Sequence, residues 1–491
     1  MPIPWLLVVL IVPVAGAGVV AVARSRRQAN AVAAAVAVSA ALAVAGLLQR
    51  LLLRGPQSYA GNFLYADDLS GLLLLVVGLV GLASLLYSLD YLGRPGGAHE
   101  LPLPRLRRYY ALVFLFLFSM YLVAEANNLG VLWIALEGTT LVSALLVGYY
   151  HTRRAQEASW KYLILCSVGL AFALFGTLLL YVAAVHAFGS GNADLNWTRL
   201  VASGAELDPG VVRVALVFLF VGYGTKAGLA PLHTWLPDAH SEAPTPVSAL
   251  LSGALLNCAM YALLRIDAIT VRIPDFTWTQ WLFLLLGLLS VFLAALFLVV
   301  QRDLKRLLAY SSVENMGIIA VGLSFGGAAG IFASLYHLLN HAATKSAMFL
   351  IGGHVAVVAR TKSLPEIQGA LVAAPGTGLL LLFGGLALAG VPPFSMFSSE
   401  FLILSAGFSR GDSVAAGLLL LGLLVAFGAL LWHLSRMLLG DPHQPYDRSA
   451  RLGVAASLGI GIVLAVALGL GLLLPDPLSQ LLHGAARVVS G

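Results

Sequence analysis

The chain has 491 residues, of which 60% are hydrophobic, with a mean hydropathy of +0.92 and a formal net charge of +6 at pH 7. A soluble protein of this size could not bury so much apolar surface, so the composition excludes a soluble enzyme and indicates a polytopic membrane protein. Because the basic residues occur in short loops between apolar stretches, the positive charge does not indicate nucleic-acid binding.

Windows of about 20 apolar residues mark helices that can span a membrane. The sequence predicts fourteen of them and therefore an all-α polytopic membrane fold, with a single transmembrane domain over 1–491. In chain order they lie at roughly 3–22, 29–48, 69–89, 109–126, 129–149, 160–186, 211–230, 247–268, 278–300, 304–325, 330–358, 372–408, 413–438 and 452–474.

Lys and Arg residues are divided unequally between the two faces of this predicted bundle. Of the 28, seventeen lie in loops on one face and eight on the other, and the remaining three are lysines in or beside apolar stretches. Because cytoplasmic loops are enriched in Lys and Arg, the bias predicts a multi-pass protein of the cell (inner) membrane with both termini on the non-cytoplasmic side.

Two similar Gly/Pro segments interrupt long apolar runs, one at Pro231 in the seventh predicted helix and one at Pro392 and Pro393 in the twelfth. Proline lacks a backbone N–H and frees the carbonyl four residues earlier, so each segment predicts a broken helix. The two helices cross in opposite senses, which predicts inverted five-helix repeats. The first repeat covers 108–270, the second covers 277–440, and 1–107 and 441–491 flank them.

Intramembrane charges are the strongest functional signal in the chain. A charge within hydrocarbon costs about 2.5–3.5 kcal/mol on insertion scales, so each one is by default a functional-site hypothesis. Lys226 directly precedes the first break, and Glu137, near the middle of the fifth predicted helix, is its expected partner. A lysine balanced between burial and a nearby acid can bind and release a proton near neutral pH. The alternative is a static ion pair that fixes helix packing.

A second group of polar residues recurs along the eleventh predicted helix. His337, His341 and Lys345 are spaced i, i+4, i+8 and form a stripe about 12 Å long. Neutral histidine both donates and accepts hydrogen bonds, so the stripe predicts a proton relay. The alternative is that each histidine is satisfied by a backbone carbonyl. Glu400 follows the second break, in a place comparable to that of Lys226 beside the first.

Five further residues are secondary candidates for the proton path. Glu314 is another intramembrane acid, and His354 lies further along the helix of the histidine stripe. Lys161, at the start of the sixth predicted helix, either anchors that helix at the membrane interface or joins the path. Asp238 and His240 lie in a Pro-rich loop, as helix-cap and loop-bonding groups or as a cytoplasmic proton inlet.

No cofactor or metal site is predicted in this chain. Its two cysteines, Cys166 and Cys258, lie in apolar segments with no CxxC, haem-attachment or iron–sulfur spacing, which favours small buried side chains. The glycines before Lys226 lie in a predicted spanning helix and not in a strand–turn–helix unit, which excludes a nucleotide-binding loop.

Several segments resemble one known family. The clearest are Gly-Thr-Lys-Ala-Gly-Leu-Ala-Pro-Leu-His at 224–233 and Ala-Pro-Thr-Pro-Val-Ser at 243–248. They resemble the antiporter-like membrane subunits of NADH–quinone oxidoreductase (complex I), of Mrp-type antiporters and of group 4 hydrogenases. The segments 301–312 and 337–345 match the same family, and the resemblance covers nearly the whole chain. Within the family, Glu-Gly-Thr-Thr at 137–140 is most similar to the hydrogenase-4 component F group.

The resemblance implies a proton-translocating subunit of an energy-converting oxidoreductase complex, with no redox centre of its own. It also implies other membrane subunits and peripheral electron-transfer subunits as partners, with the lipid bilayer, protons and, through the complex, a quinone. The matching residues carry their family roles as follows: Glu137 and Lys226 as the pair of the first half-channel, His337, His341 and Lys345 as the central connection, and Glu400 as the acid that exchanges protons with the outside.

One position departs from the family. Related pumping subunits often have a lysine in the eighth helix where this chain has Asn257, so transfer from Lys226 to Lys345 would depend more on water and the histidines. Two alternatives remain open: a subunit of an Mrp-type Na⁺/H⁺ antiporter, and a structural or quinone-binding membrane scaffold. The transported ion, the direction of transport and the identity of the electron donor remain open as well.

Overall fold

The computed structural model describes residues 3–94, 99–189, 191, 193–442, 445–447 and 450–491. Arg448, one of the loop cations behind the predicted orientation, lies outside these ranges. The α-helices in chain order are α1 (Trp5–Ala21), α2 (Arg26–Arg54), α3 (Asp68–Tyr91), α4 (Leu103–Glu125), α5 (Leu129–Val147), α6 (Arg153–Phe188), α7 (Trp197–Ala202), α8 (Pro209–Ala227), α9 (Leu236–Glu242), α10 (Thr245–Leu250), α11 (Leu256–Thr270), α12 (Trp278–Val300), α13 (Leu304–Ser324), α14 (Gly327–Ala359), α15 (Ala370–Ala373), α16 (Pro375–Leu388), α17 (Ser395–Arg410), α18 (Ser413–Leu438), α19 (Val454–Leu472) and α20 (Asp476–Ser490).

Within the described ranges, twelve helices are long and apolar enough to cross a membrane. One of them is continuous over Thr245–Thr270, because a π-helical segment at Leu251–Leu255 joins α10 to α11. Two shorter apolar helices, α1 and α16, supply the remaining crossings, the second together with α17. The polytopic all-α prediction is therefore confirmed, and the spans lie close to the predicted windows.

A small antiparallel hairpin lies outside the spans. Strands β1 (Gln57–Tyr59) and β2 (Leu64–Ala66) pair in register from Gln57 opposite Ala66 to Tyr59 opposite Leu64. The hairpin leads directly into α3, where the side chain of Asp67 accepts a hydrogen bond from the Ser70 N–H and caps the helix.

Two sets of five crossings repeat the same succession of contacts. In the first set α4 packs on α5, α5 on α6, α6 on α8, and α8 on α11. In the second set α12 packs on α13, α13 on α14, α14 on α16 and α17, and α17 on α18. The second set starts five crossings after the first, so it runs through the membrane in the opposite sense, as an inverted repeat requires.

Both predicted helix breaks are present. The helix α8 ends at Ala227, and Gly228 follows with a φ of +75°, where an added Cβ would lie 2.5 Å from a Leu236 methyl carbon. Pro231 lies between α8 and α9, and Pro392 and Pro393 lie between α16 and α17. The backbone N–H of Ala230 in the first break donates to Ser290 Oγ of α12 at 2.8 Å, so the second repeat satisfies a polar group of the first.

The most informative differences from the sequence predictions are one helix start and two helices outside the predicted spans. The helix α6 begins at Arg153, because Thr152 caps it through the Ala155 N–H and extends it into the polar loop. The segment around Asp238, predicted as a loop, forms the short helix α9, with Pro237 at a position in its first turn that tolerates proline. The amphipathic helix α20 follows the last span and packs its apolar face on α3 and α14. An amphipathic helix of this kind contains no long apolar window, so the sequence did not predict it.

Candidate functional site

Lys226 is fully buried at the C-terminal end of α8. Its Nζ donates hydrogen bonds to Thr140 Oγ1 at 2.8 Å and to Tyr162 OH at 2.7 Å, and it lies 4.9 Å from the centre of the Tyr162 ring. The Tyr162 hydroxyl also bonds to Ser143 Oγ at 2.7 Å. A cation is favoured at a helix C-terminus, and here neutral hydroxyl groups from α5 and α6 surround it.

Glu137 does not contact Lys226 directly. Its Oε1 accepts a hydrogen bond from Ser167 at 2.7 Å, while its buried Oε2 has no partner among the residues that the structure describes. Glu137 and Thr140 are three residues apart on one face of α5, and the Thr140 hydroxyl occupies the position beside the ammonium group. The Lys226 ammonium group therefore contacts a hydroxyl group that lies one turn of α5 away from the carboxylate.

His337 is held in a defined orientation on α14. Its Nε2 lies 3.1 Å from Asn315 Oδ1, and its Nδ1 lies 2.9 Å from Ser399 Oγ. The Asn315 amide nitrogen donates to the Ser311 carbonyl at 2.6 Å, so the amide oxygen is the atom that faces the imidazole. In this arrangement His337 Nε2 donates and Nδ1 is left to accept from the Ser399 hydroxyl.

Lys345 lies two turns further along α14 and is also fully buried. Its Nζ donates to the Leu308 carbonyl at 2.6 Å and to the Ser311 hydroxyl. The Ser311 backbone carbonyl accepts from Asn315 and the Ser311 hydroxyl accepts from Lys345, so hydrogen bonds to two different atoms of Ser311 complete a run from His337 through Asn315 to Lys345. Sequence reasoning missed Ser311 and Asn315. Their i, i+4 spacing on α13, which matches the histidine stripe on α14, is the signal that could have revealed them.

His341 connects the stripe to the π-helical segment. Its Nε2 lies 3.3 Å from the Ser252 carbonyl, and its Nδ1 is buried with no hydrogen-bond partner in the described part of the chain. The Ser252 hydroxyl bonds to Ser312 Oγ at 2.8 Å. Near this segment, Asn257 donates to the Gly253 carbonyl of its own helix at 2.8 Å, so its side chain folds back and does not bridge the two lysines.

Glu400 and Glu314 face one cavity of about 350 Å³ beside the second break. Glu400 packs against Gly390, whose φ is +66° and where an added Cβ would lie 2.6 Å from the Glu400 Oε2. Ser399, which bonds to His337, directly precedes Glu400 in α17. The second break therefore joins the histidine stripe to the carboxylate cavity.

The secondary candidates fall into two groups. Glu314 faces the same cavity as Glu400, whereas Lys161 and Asp238 form an ion pair nearer the surface. Lys161, in the third turn of α6, lies 2.6 Å from Asp238 Oδ2, and Arg306 lies 2.8 Å from the other oxygen of that carboxylate. These partly exposed ion pairs fasten α9 to α6 and α13, and such pairs contribute about 0–1 kcal/mol each. His354 Nε2 bonds to Thr377 Oγ1 at 3.2 Å, away from the other path candidates.

His240 is fully buried, and neither ring nitrogen has a hydrogen-bond partner within the described ranges. Its ring stacks on Phe349 of α14 with centroids 4.8 Å apart. Burial lowers the pKa of the His240 imidazole to about 3, and the positive charges of Lys345 and Lys305 add to the shift. The next residues along α9, Ser241 and Glu242, line a cavity of about 640 Å³ that also includes Lys305 and Lys362.

Arg265 forms a buried ion pair that sequence reasoning missed, because its position near the end of a span made it resemble a loop cation. Its guanidinium group donates to both Asp67 oxygens, at 2.6 and 2.7 Å, and to the Tyr261 hydroxyl at 2.8 Å. It also lies 4.1 Å from the centre of the Trp197 ring. The pair fastens α11 to the N-terminus of α3, at the end of the bundle opposite Lys161.

The fold and the site together define an ion-translocating class of polytopic membrane protein. This class is marked by inverted five-helix repeats, two broken helices and a series of buried lysines, histidines and acids. A family model described as "NADH:quinone oxidoreductase/Mrp antiporter, TM" matches residues 126–426. The chain belongs to this family.

Three known proteins illustrate the relationship. The chain is 42% identical over 401 residues to the hydrogenase-4 component F homolog of Methylacidiphilum infernorum (isolate V4), covering 82% of this chain and 83% of that protein. It is 32% identical over 356 residues to Na(+)/H(+) antiporter subunit A1 of Staphylococcus haemolyticus (strain JCSC1435), covering 69% of this chain but only 42% of that protein. A subunit of the archaeal membrane-bound sulfane sulfur reductase shares the fold, with a TM-score of 0.86, 24% identity, and coverage of 99% of this chain and 97% of that subunit.

Proposed function

We propose that the chain is the proton-translocating membrane subunit of an energy-converting oxidoreductase complex whose partner subunits carry out electron transfer. The observation that carries the proposal is the hydrogen-bonded run from His337 through Asn315 and Ser311 to the fully buried Lys345. Membership of the family and the similarity to a hydrogenase-4 component F homolog support it.

Lys226 is suited to gain and lose a proton without rearranging its surroundings. Hydroxyl groups both donate and accept, so Thr140 and Tyr162 can accept from an ammonium group, and either can donate to a neutral amine. The unpartnered Oε2 of Glu137 lies one turn away and favours the ammonium form. A conformational change that moves this carboxylate alters the proton affinity of Lys226, which is the step that we assign to coupling with the partner subunits.

The second half supplies the route out. In the proposed sequence, Lys345 exchanges protons with the polar groups around it, and the histidine stripe connects it to Ser399 and Glu400. A cavity of about 350 Å³ adjoins Glu400 and Glu314 at this end of the route. Glu400 is the acid that we assign to exchange with the non-cytoplasmic side.

Proton uptake from the cytoplasm is assigned to the neighbourhood of α9. His240 has two unpartnered ring nitrogens, and the adjoining Ser241 and Glu242 line the cavity of about 640 Å³. The His240 ring stacks on Phe349 of α14, one turn beyond Lys345, so the imidazole lies near the buried lysine of the second repeat. In this orientation both termini lie on the non-cytoplasmic side of the cell membrane.

The complex must supply the work of transport. Moving one charge through the full membrane potential costs about 2.3 kcal/mol per 100 mV, and this chain is assigned no redox centre or cofactor. The proposed partners are therefore other membrane subunits and peripheral electron-transfer subunits, with a quinone reached through the complex.

The test is proton pumping by the complete complex in proteoliposomes, with electron transfer measured in the same sample. We expect Lys226→Ala to abolish pumping, because the amine that carries the proton is removed. The control Arg54→Ala truncates a cation at an exposed helix end and should leave pumping unchanged. Normal pumping by Lys226→Ala at a normal rate of electron transfer would refute the proposal.

A second candidate is a subunit of a Na⁺/H⁺ antiporter, and the 32% identity to antiporter subunit A1 favours it. That function predicts sodium-dependent proton flux with no electron donor present. The same proteoliposomes, with a sodium gradient and no donor, distinguish the two functions.

A further inference from the structure

The cavity at the second helix break lies among helices of the second repeat, including α13, α17 and α18. Glu314 enters it from α13, Glu400 and Phe401 from α17, and Leu424 and Phe427 from α18. Its volume of about 350 Å³ lies within the range of small-molecule sites. The site combines two acids with a wall of otherwise mostly apolar side chains.

No Lys or Arg side chain in the described part of the chain lies within ion-pair distance of either carboxylate. Glu314 is only 4% exposed, and neither it nor Glu400 forms an ion pair or a hydrogen bond there. Lys345, whose charge influences Glu314, directs its Nζ to Leu308 and Ser311 instead. A buried carboxylate without a partner is costly, so a cation that enters this cavity gains a strong interaction.

The walls favour an organic cation over a divalent metal ion. Inorganic cations such as Mg²⁺ and Ca²⁺ are held by six or more oxygens, and no group of three or more His, Cys, Asp or Glu side chains in the described ranges could hold a metal ion. The remaining lining includes Phe397, Phe401, Leu404 and Phe427. Aromatic faces attract ammonium groups, and the leucine side chains suit a hydrocarbon portion.

The cavity opens to the membrane-facing surface at mid-depth. At its rim, Phe401 is 60% exposed and Leu424 is 59% exposed. The helix α16 has 14 residues, so the break lies about 21 Å along the crossing from one face, and Glu400 lies about 15 Å along α17 from its end at Arg410. Phospholipid headgroups stay at the interface, so a ligand at this depth arrives dissolved in the hydrocarbon.

We propose that this cavity binds a protonated lipophilic amine, with its ammonium group between Glu314 and Glu400 and its hydrocarbon against the phenylalanine and leucine wall. Binding does not depend on the proposed function. Its consequence does: Glu400 is the assigned proton exit, so the bound amine would block transport there.

The test measures binding of 1-naphthylmethylammonium to the full chain in phosphatidylcholine nanodiscs, by equilibrium dialysis against empty nanodiscs. The uncharged 1-naphthylmethanol has a similar shape and reports the apolar contribution. We expect the ammonium compound to bind at least about tenfold more tightly than the alcohol, because a charge-assisted hydrogen bond is added. Glu314→Gln and Glu400→Gln should each remove most of this difference without changing the affinity for the alcohol.

Glu157→Gln is the matched control, because Glu157 is an exposed carboxylate on α6. Leu424→Trp narrows the rim and should weaken both compounds, which keeps the proposal testable if a glutamine variant does not fold. Equal affinities for ammonium and alcohol, or an ammonium affinity unchanged in both glutamine variants, would overturn it. No electron donor or proton gradient is present, so the outcome is independent of the pumping test.

Discussion

Tyr162 offers a precise test of how Lys226 holds its proton. Tyr162→Phe keeps the ring beside the ammonium group and removes only the hydroxyl that lies 2.7 Å from Nζ. The ammonium form loses a charged hydrogen bond of about 1.5–3 kcal/mol, while the neutral amine loses an ordinary one of about 0.5–1.5 kcal/mol. The ammonium form is therefore destabilised, relative to the amine, by about 1–1.5 kcal/mol.

That difference corresponds to about a five- to tenfold shift in the equilibrium between the two forms. A destabilised ammonium group loses its proton at lower pH, so the alkaline limb of the pumping profile should move toward acid by about 0.7–1 pH unit. The assay is the initial pumping rate of the reconstituted complex as a function of pH.

The matched control is Tyr446→Phe, which removes a hydroxyl that donates to the Gln368 carbonyl at 3.0 Å and does not bond to any candidate of the proton path. Its profile should coincide with that of the natural chain. A Tyr162→Phe profile that does not move, or that moves toward alkaline pH, would refute the assignment of Lys226 as the group that titrates.

Three further predictions concern stability and connectivity. Arg265→Met should lower the free energy of unfolding by about 3–5 kcal/mol, since Asp67 is left buried and unpaired, whereas Arg199→Met at a partly exposed pair should cost about 0–1 kcal/mol; equal losses in thermal unfolding would contradict this. Gly228→Ala should lower the free energy of unfolding by about 1–2 kcal/mol because of the left-handed backbone, and further because of the clash with Leu236. Gly18→Ala, with open space around the added methyl group, should not destabilise the protein. Equal melting temperatures for the two variants would contradict this prediction. Asn315→Leu removes the acceptor from His337 Nε2 and should reduce pumping while electron transfer continues; unchanged pumping would disprove the role of the Asn315 connection.

Much of the architecture could be predicted because the membrane imposes strong rules on sequence. Apolar windows located the spans, and Pro231, Pro392 and Pro393 located both breaks, because neither signal depends on distant contacts. The start of α6 was placed too late because the Thr152 cap extends a helix beyond its apolar window. The amphipathic α20 was missed because its period, and not its mean hydropathy, carries the signal.

The candidate site was less predictable because its partners are chosen by packing. Lys226 and Lys345 stand out in a sequence because buried charge is rare, but the groups that hold them are ordinary hydroxyls and carbonyls. Nothing local distinguishes Thr140 or Ser311 from other polar residues in helices. The sequence indicated Glu137 as the charge partner of Lys226, but it could not show that the Thr140 hydroxyl, and not the carboxylate, contacts the ammonium group.

The contact between Ala230 and Ser290 has a mechanical consequence for the two repeats. The Ser290 hydroxyl accepts from the broken segment behind Lys226 at 2.8 Å and donates to the Leu286 carbonyl of its own helix at 2.6 Å. Hydrogen bonds weaken steeply when they are stretched or bent, so the repeats cannot slide past each other here without breaking this one. A rotation of one repeat about this hydrogen bond leaves the bond intact and still changes the distances between other residues of the two repeats. The Ser290 hydrogen bond thus couples the two repeats, so that a tilt of α12 would displace the broken segment around Ala230, close to Lys226.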